Sequence, residues 1–123
     1  MSAPAITALI VDDEPLGRDL VRNMLAPHPD LAVVGECPDG EKAFAAIRRL
    51  TPQVVFLDVK MPRLDGVGLL KRLPSENRPL IVFITAYDSF ALHAFEGQAF
   101  DYLLKPFDQE RFDIMLQRVR ARL

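Results

Sequence analysis

The sequence contains one cysteine and no long apolar segment. Because Cys37 has no second cysteine to pair with, a disulfide framework and a CxxC metal site are both excluded. The N-terminus lacks the basic head and apolar run of a signal peptide, and no uncharged run approaches the roughly 20 apolar residues of a membrane span. We therefore expect a cytoplasmic protein without membrane contact, in which Cys37 is a structural thiol.

An excess of charge of one sign is also lacking. Fifteen basic and seventeen acidic side chains give a net charge of −2, so we expect no direct contact with nucleic acid. Arg118, Arg120 and Arg122 instead suit the C-terminal end of a helix dipole. His28 and His93 have no second histidine or cysteine at metal-ligand spacing, which predicts solvated or capping roles for both.

The length favours a single domain. Half of the 123 residues are apolar, enough to bury a core without disulfides or metal ions. Ten prolines stand singly, mostly at the edges of apolar runs, and so separate elements of secondary structure. We expect one domain over residues 1–123 with no output domain. Whether it is a stand-alone protein or an excised part of a larger one is open at this point.

Short apolar runs alternate with helix-like segments five times. The runs predict strands at Ile6–Val11, Leu31–Gly35, Val54–Leu57, Leu80–Ile84 and Tyr102–Leu104. Helices are predicted from Pro15 to before Pro27, after Asp39-Gly40, at Gly66–Leu73, at about Ser89–Phe95 and at Asp108–Leu123. In the last helix, one apolar face is predicted to comprise Phe112, Met115, Leu116, Val119 and Leu123. Such βα alternation predicts a doubly wound α/β fold, an open parallel sheet with helices on both faces.

The residues that follow these strands carry most of the functional information, because ligands of such sheets bind outside the carboxyl ends of the strands. Those residues are unusually polar: Asp12, Asp13, Asp58, Thr85 and Lys105. Three carboxylates, a hydroxyl and an ammonium group are thus predicted to share one rim of the sheet.

Neighbouring carboxylates repel one another, and a divalent cation resolves that conflict. Mg²⁺ prefers oxygen ligands, keeps several waters and is typically shared with phosphate oxygens. The pattern therefore predicts that Mg²⁺ gathers Asp13, Asp58 and an incoming phosphoryl group, while Asp12 acts through water or as a second ligand. Mn²⁺ is an alternative for the same oxygen ligands.

Three further residues suit a phosphoryl group at this rim. Thr85 is placed to hydrogen-bond one phosphoryl oxygen, and Lys105 to meet another as a point charge. Ala86, next to Thr85, leaves space where a larger side chain would crowd the phosphate.

Five segments in this order resemble the receiver domains of two-component response regulators, and the resemblance covers essentially the whole chain. They are Leu9–Pro15, Val55–Pro62, Asp65–Gly66, Phe83–Ala86 and Asp101–Phe107. The stretch from Thr85 to Tyr102 is most similar to the receivers of LytTR-type transcription regulators.

The resemblance implies a flavodoxin-like fold with five parallel strands in the order 2-1-3-4-5. It makes Asp58 the phosphoacceptor, with phosphate contacts from Thr85, Ala86 and Lys105. The implied Mg²⁺ ligands are Asp12, Asp13, Asp58 and the backbone carbonyl of Lys60. Thr85 and Tyr102 would form a switch pair, Lys60 and Tyr87 would tune dephosphorylation, and the Lys105–Pro106 bond would be cis.

The resemblance also implies partners. A histidine kinase would donate the phosphoryl group, and the chain would be a regulatory phosphoacceptor rather than an enzyme. Phosphorylation would shift the face formed by the fourth helix, the fifth strand and the fifth helix, promote homodimerisation through it and control an output such as transcription.

Three alternatives differ in class. A receiver that acts by binding alone would not need the complete acidic pocket. A Mg²⁺-dependent phosphohydrolase with Asp58 as nucleophile would carry Asp-x-Asp after its first strand, whereas Asp58 follows the third strand and Lys60 stands two positions on. A flavin- or nucleotide-binding module would need a Gly- or Ser/Thr-rich loop after the first strand, where Asp12-Asp13-Glu14 stands instead.

Overall fold

Five parallel strands form one sheet in this protein, seen in a computed structural model that describes residues 5–86 and 99–123. The strands are β1 (Ile6–Val11), β2 (Leu31–Cys37), β3 (Val54–Leu57), β4 (Leu80–Thr85) and β5 (Asp101–Leu104). Their order across the sheet is β2-β1-β3-β4-β5. This confirms the predicted flavodoxin-like topology.

The helices of the described residues are α1 (Pro15–Leu25), α2 (Gly40–Leu50), α3 (Gly66–Arg72) and α4 (Gln109–Arg122). The helix predicted at about Ser89–Phe95, with Tyr87 and His93, lies outside the described residues. The fifth helix of the sequence prediction is therefore α4 here. None of the described helices is long and apolar enough to cross a bilayer.

Two apolar layers cover the two faces of the sheet. Because side chains alternate along a strand, Leu9 and Val11 of β1 face the layer under α2 and α3, while Ala8 and Ile10 face the layer under α1 and α4. β3 lies at the centre, and all four of its residues are at most 1% exposed. This double burial explains its uninterrupted apolar sequence.

Aspartates fix the start of three helices. Asp39, Asp65 and Asp108 each accept a hydrogen bond from the backbone N–H three residues on, at 2.8, 2.7 and 2.8 Å. At the start of α1, Pro15 occupies a first-turn position, where its missing N–H is no loss. These starts lie beside the carboxyl ends of the strands, so they also anchor the loops there.

Several predicted boundaries were wrong by one or two residues. β2 continues to Cys37 because its ladder with β1 extends to the Val11–Cys37 pair, and β4 includes Thr85, which pairs with Leu104. The helix predicted to run to Leu73 ends at Arg72. Leu123 is half exposed rather than part of the buried face, because α4 ends before it.

The prediction of a solvated or capping role for His28 was wrong. Its side chain is 13% exposed, and its Nε2 lies 2.6 Å from Asp113 Oδ1. The Arg120 guanidinium lies 2.9 Å from Nδ1 and binds both oxygens of Asp30, at 2.7 and 2.9 Å. Because arginine only donates, Nδ1 must accept and Nε2–H must donate to Asp113. The cluster ties the loop after α1 to α4.

The ion pair between Asp30 and Arg120 predicts a pH dependence of stability. The hydrogen bond from Arg120 lowers the Asp30 pKa below its ordinary 3.8. A lowered carboxyl pKa stabilises the fold above the unfolded value and loses that contribution as pH falls through the folded one. Both side chains are partly exposed, so solvent screening limits the effect to about 0.5 kcal/mol.

We therefore expect Asp30→Asn to lower the urea midpoint at pH 6 and to reduce the loss of stability below pH 4. Urea unfolding followed by circular dichroism between pH 3 and 6 measures both effects. Glu76→Gln, in the exposed loop before β4, serves as the charge-matched control. Equal pH profiles for wild type and Asp30→Asn would contradict the prediction.

Candidate functional site

Three carboxylates meet at the carboxyl ends of β1 and β3. These strands are neighbours, and the Asp58 N–H continues their pairing by donating to the Val11 carbonyl at 3.0 Å. Asp12 and Asp13 follow β1, and Asp58 follows β3. Each of the three carboxylates offers an oxygen within 4.8 Å of the others. The sequence prediction of one acidic cluster at this rim thus matches the arrangement in the structure.

The Asp12 carboxylate is the buried member, at 4% exposure. Its Oδ1 accepts a hydrogen bond from the Glu14 N–H at 3.0 Å, and its Oδ2 lies 3.3 Å from the Lys105 ammonium. Asp13 is exposed and Asp58 half-buried. The two outer carboxylates are therefore open to solvent, while the inner one has fixed partners.

Burial raises the pKa of Asp58 above its ordinary value, and the negative charge of Asp12 adds to this effect. The Thr85 hydroxyl opposes it by hydrogen-bonding the Asp58 carboxylate, and the Lys105 charge opposes it further. Burial and the Asp12 charge thus disfavour the ionised form of Asp58, and Thr85 and Lys105 offset only part of this effect. A cation bound here would favour the ionised form of Asp58.

Thr85 and Lys105 reach the site from adjacent strand ends. Thr85 is buried at the end of β4, and its carbonyl accepts a hydrogen bond from the Lys105 N–H at 2.8 Å. The Lys105–Pro106 bond is cis. A cavity of about 640 Å³ is lined by these predicted site residues: Asp13, Asp58, Lys60, Thr85, Ala86 and Lys105.

Tyr102 lies apart from this cavity. Its side chain is 37% exposed on β5, and it lines a second cavity with Leu104, Phe107 and Arg111. In the ladder between β4 and β5 its partner is Phe83, two residues before Thr85. Its switch role remains a prediction, as does the role of Tyr87, which lies outside the described residues.

Two residues of α1 contribute to the site without having been predicted. Arg18 donates to the Asp12 carbonyl at 2.8 Å. Gly17 faces the Asp12 carboxylate, which occupies the space that a Cβ would need. A glycine inside an amphipathic helix was the only sign of this contact in the sequence, because glycine is costly there without a packing reason.

The donor set suits a hard divalent cation. Carboxylate oxygens are the ligands that Mg²⁺ prefers, and the exposed position of Asp13 leaves room for the waters that the ion retains. The described residues offer no sulfur or imidazole ligand within this cluster, which disfavours zinc.

The sequence matches the family described as "Response regulator receiver domain" over residues 8–117. It is 48% identical over 115 residues to the transcriptional regulatory protein BtsR of Salmonella typhi and of Escherichia coli K12, covering 94% of this chain and 48% of each relative. It is 45% identical over 118 residues to an uncharacterized response regulatory protein of Shewanella oneidensis, covering 96% of this chain and 50% of that relative. The chain thus spans about half the length of these relatives.

Solved structures agree with this match. The response regulatory domain of mrkE from Klebsiella pneumoniae superimposes with a TM-score of 0.82 at 35% identity, covering 94% of this chain and 95% of that one. The REC domain of AraT from Geobacillus stearothermophilus gives 0.84 at 34% identity, covering 96% and 95%. The chain therefore belongs to the family of response regulator receiver domains.

Proposed function

We propose that this receiver takes a phosphoryl group from a histidine kinase onto Asp58 in a Mg²⁺-dependent reaction, as the input of a cytoplasmic signalling switch. The observation that carries the proposal is the cluster of Asp12, Asp13 and Asp58, with carboxylate oxygens within 4.8 Å and the Thr85 and Lys105 side chains at the same rim. Such a set suits a cation and a transferred phosphoryl group together.

In this proposal Asp13, Asp58 and the Lys60 carbonyl hold the ion, while Asp12 acts through water or as a further ligand. Bound Mg²⁺ would neutralise the charge of the phosphoryl group. The fixed partners of Asp12 support an indirect role, because its Oδ2 already faces Lys105. The exposed Asp13 and half-buried Asp58 are the more accessible ligands.

The chain's own side chains position the group. An Asp58 oxygen forms the new bond to phosphorus while the bond to the kinase's histidine nitrogen breaks. Thr85 then turns its hydroxyl from the Asp58 carboxylate to a phosphoryl oxygen, and Lys105 contacts another. Ala86, exposed beside Thr85, leaves room for the group. Lys60 and Tyr87 are the residues that would set how long the phosphoryl group lasts.

The role is regulatory, as is general for this family, and the proposed output is transcription of the LytTR type. The relatives named transcriptional regulatory proteins are about twice as long as this chain, which supports a receiver over residues 1–123 that controls a further domain. Tyr102, Leu104 and Ile114 are exposed on β5 and α4 at 37%, 44% and 47%. This apolar surface supports dimerisation on phosphorylation, with Thr85 and Tyr102 as the switch pair.

Acetyl phosphate with Mg²⁺ tests the acceptor. We expect intact mass spectrometry to detect one phosphoryl group on the wild type and none on Asp58→Asn, because the amide cannot form the acyl phosphate. Chelation of Mg²⁺ should abolish the labelling. Asp65→Asn is the matched control, since Asp65 caps α3 on the loop that follows Asp58. Equal labelling of wild type and Asp58→Asn would contradict the assignment.

Beryllofluoride with Mg²⁺ tests the output face. We expect it to shift the wild type from monomer toward dimer in sedimentation, because apolar side chains of β5 and α4 would be buried. Leu104→Glu and Ile114→Glu should prevent this shift, since each would place a charge in the interface. Val33→Glu on the opposite edge strand is the control. An unchanged equilibrium of the wild type at every concentration would remove the dimer proposal.

A further inference from the structure

We propose that Asp39 is a positioning residue of the phosphoacceptor site, acting through Arg63 on the loop that follows Asp58. This inference rests on the proposed function, because it concerns how the Mg²⁺ site is held in shape. Asp39 lies between β2, the edge strand beside β1, and α2. It does not belong to the carboxylate cluster.

The Asp39 carboxylate is buried, at 1% exposure, and both of its oxygens are engaged. Oδ1 accepts the Lys42 N–H at 2.8 Å and caps α2, whereas Oδ2 lies 3.2 Å from Nη1 of Arg63. Capping needs only one oxygen, and serine or asparagine would supply it. The second oxygen of this buried carboxylate therefore serves a purpose beyond capping, which is contact with Arg63.

Arg63 occupies a strained position in the loop. Its φ is +68°, and the Leu64 N–H donates to the Pro62 carbonyl at 2.8 Å, which closes a three-residue turn around it. Such a turn with positive φ is rare for a residue with a side chain. Strain of this kind persists only where surrounding contacts hold it, and the ion pair with Asp39 is such a contact.

A backbone contact lies directly beside the ion pair. The Leu64 carbonyl packs against Gly40, the first residue of α2, so closely that a Cβ on Gly40 would collide with it. Residues 39 and 40 thus touch residues 63 and 64 in succession. The start of α2 therefore contacts the loop in two places, through the ion pair of Asp39 with Arg63 and through the backbone of Gly40.

The supported loop forms a wall of the site. It is closed at its base by the Gly66 N–H, which donates to the Val59 carbonyl at 2.8 Å. Between these residues, Lys60, Met61 and Pro62 line a cavity of about 410 Å³ together with Asp13. The Lys60 carbonyl therefore depends for its position on a short irregular segment that Arg63 anchors.

Loss of the ion pair between Asp39 and Arg63 should weaken Mg²⁺ binding without unfolding the domain. Residues that orient metal ligands from outside typically change affinity by about 10- to 100-fold. Asp39→Ser keeps the cap on α2 but cannot reach Arg63, and Arg63→Ala removes the guanidinium from an exposed position. We expect each variant, and the double variant, to raise the Mg²⁺ dissociation constant by about tenfold, because all three remove the same ion pair.

Amide chemical shifts during a Mg²⁺ titration measure this constant, and acetyl phosphate labelling gives a second readout. The Mg²⁺ concentration for half-maximal labelling should rise by the same factor, while the rate at saturating Mg²⁺ stays near wild type. Arg63→Lys should keep most of the Mg²⁺ affinity that Arg63→Ala loses, because lysine keeps a positive charge at this position. Val119→Ala, a core truncation in α4, is the control for a general loss of stability.

The outcomes separate the two proposals. A wild type that neither binds Mg²⁺ nor labels would overturn the proposed function itself. If the wild type binds Mg²⁺ normally, the role of Asp39 alone can be tested. That role would be overturned if the dissociation constants of Asp39→Ser and Arg63→Ala equal that of the wild type or that of Val119→Ala. Additive losses in the double variant would also overturn it, because they would show two independent effects rather than one link.

Discussion

The close approach of three carboxylates at one rim of the sheet is the constraint on which the rest of the site depends. Parallel pairing of β1 and β3 brings their carboxyl ends together, so Asp12, Asp13 and Asp58 are held within 4.8 Å whether or not that is electrostatically favourable. The sheet fixes this arrangement because β3 is buried on both faces and cannot shift. Burial is the main cause of the raised Asp58 pKa, and the charge of Asp12 adds to it, while Lys105 opposes it and pairs with Asp12.

In the proposed phosphoryl switch, the crowding of negative charge at this site would favour cation binding. A site already neutral would gain little from a cation, whereas a crowded acidic site changes its electrostatics when the ion and the phosphoryl group arrive. The same crowding requires that the surrounding loops be firmly held. Asp39 and Asp65, which cap α2 and α3, hold the loop after Asp58. Asp39 does so through its ion pair with Arg63.

Much of the fold and the acidic cluster was predictable because the relevant signals are local. Apolar runs marked the strands, and parallel topology placed the residues after them at one rim. What sequence missed depends on contacts between distant residues. His28 meets Asp113, 85 positions away. Arg63 has a positive φ that its residue type does not indicate, in a loop that contacts the start of α2. Leu123 fitted the helical pattern, but α4 ends one residue earlier.

The most direct test of the central claim is the effect of Mg²⁺ on stability. An ion that binds only the folded chain stabilises it by RT ln(1 + L/Kd), where L is the free ion concentration, so the stabilisation grows with that concentration. We predict that Mg²⁺ raises the thermal unfolding midpoint of the wild type, and that Asp13→Asn and Asp58→Asn lose most of this increase because each removes a ligand. An equal increase in all three proteins would contradict the account of the carboxylate cluster.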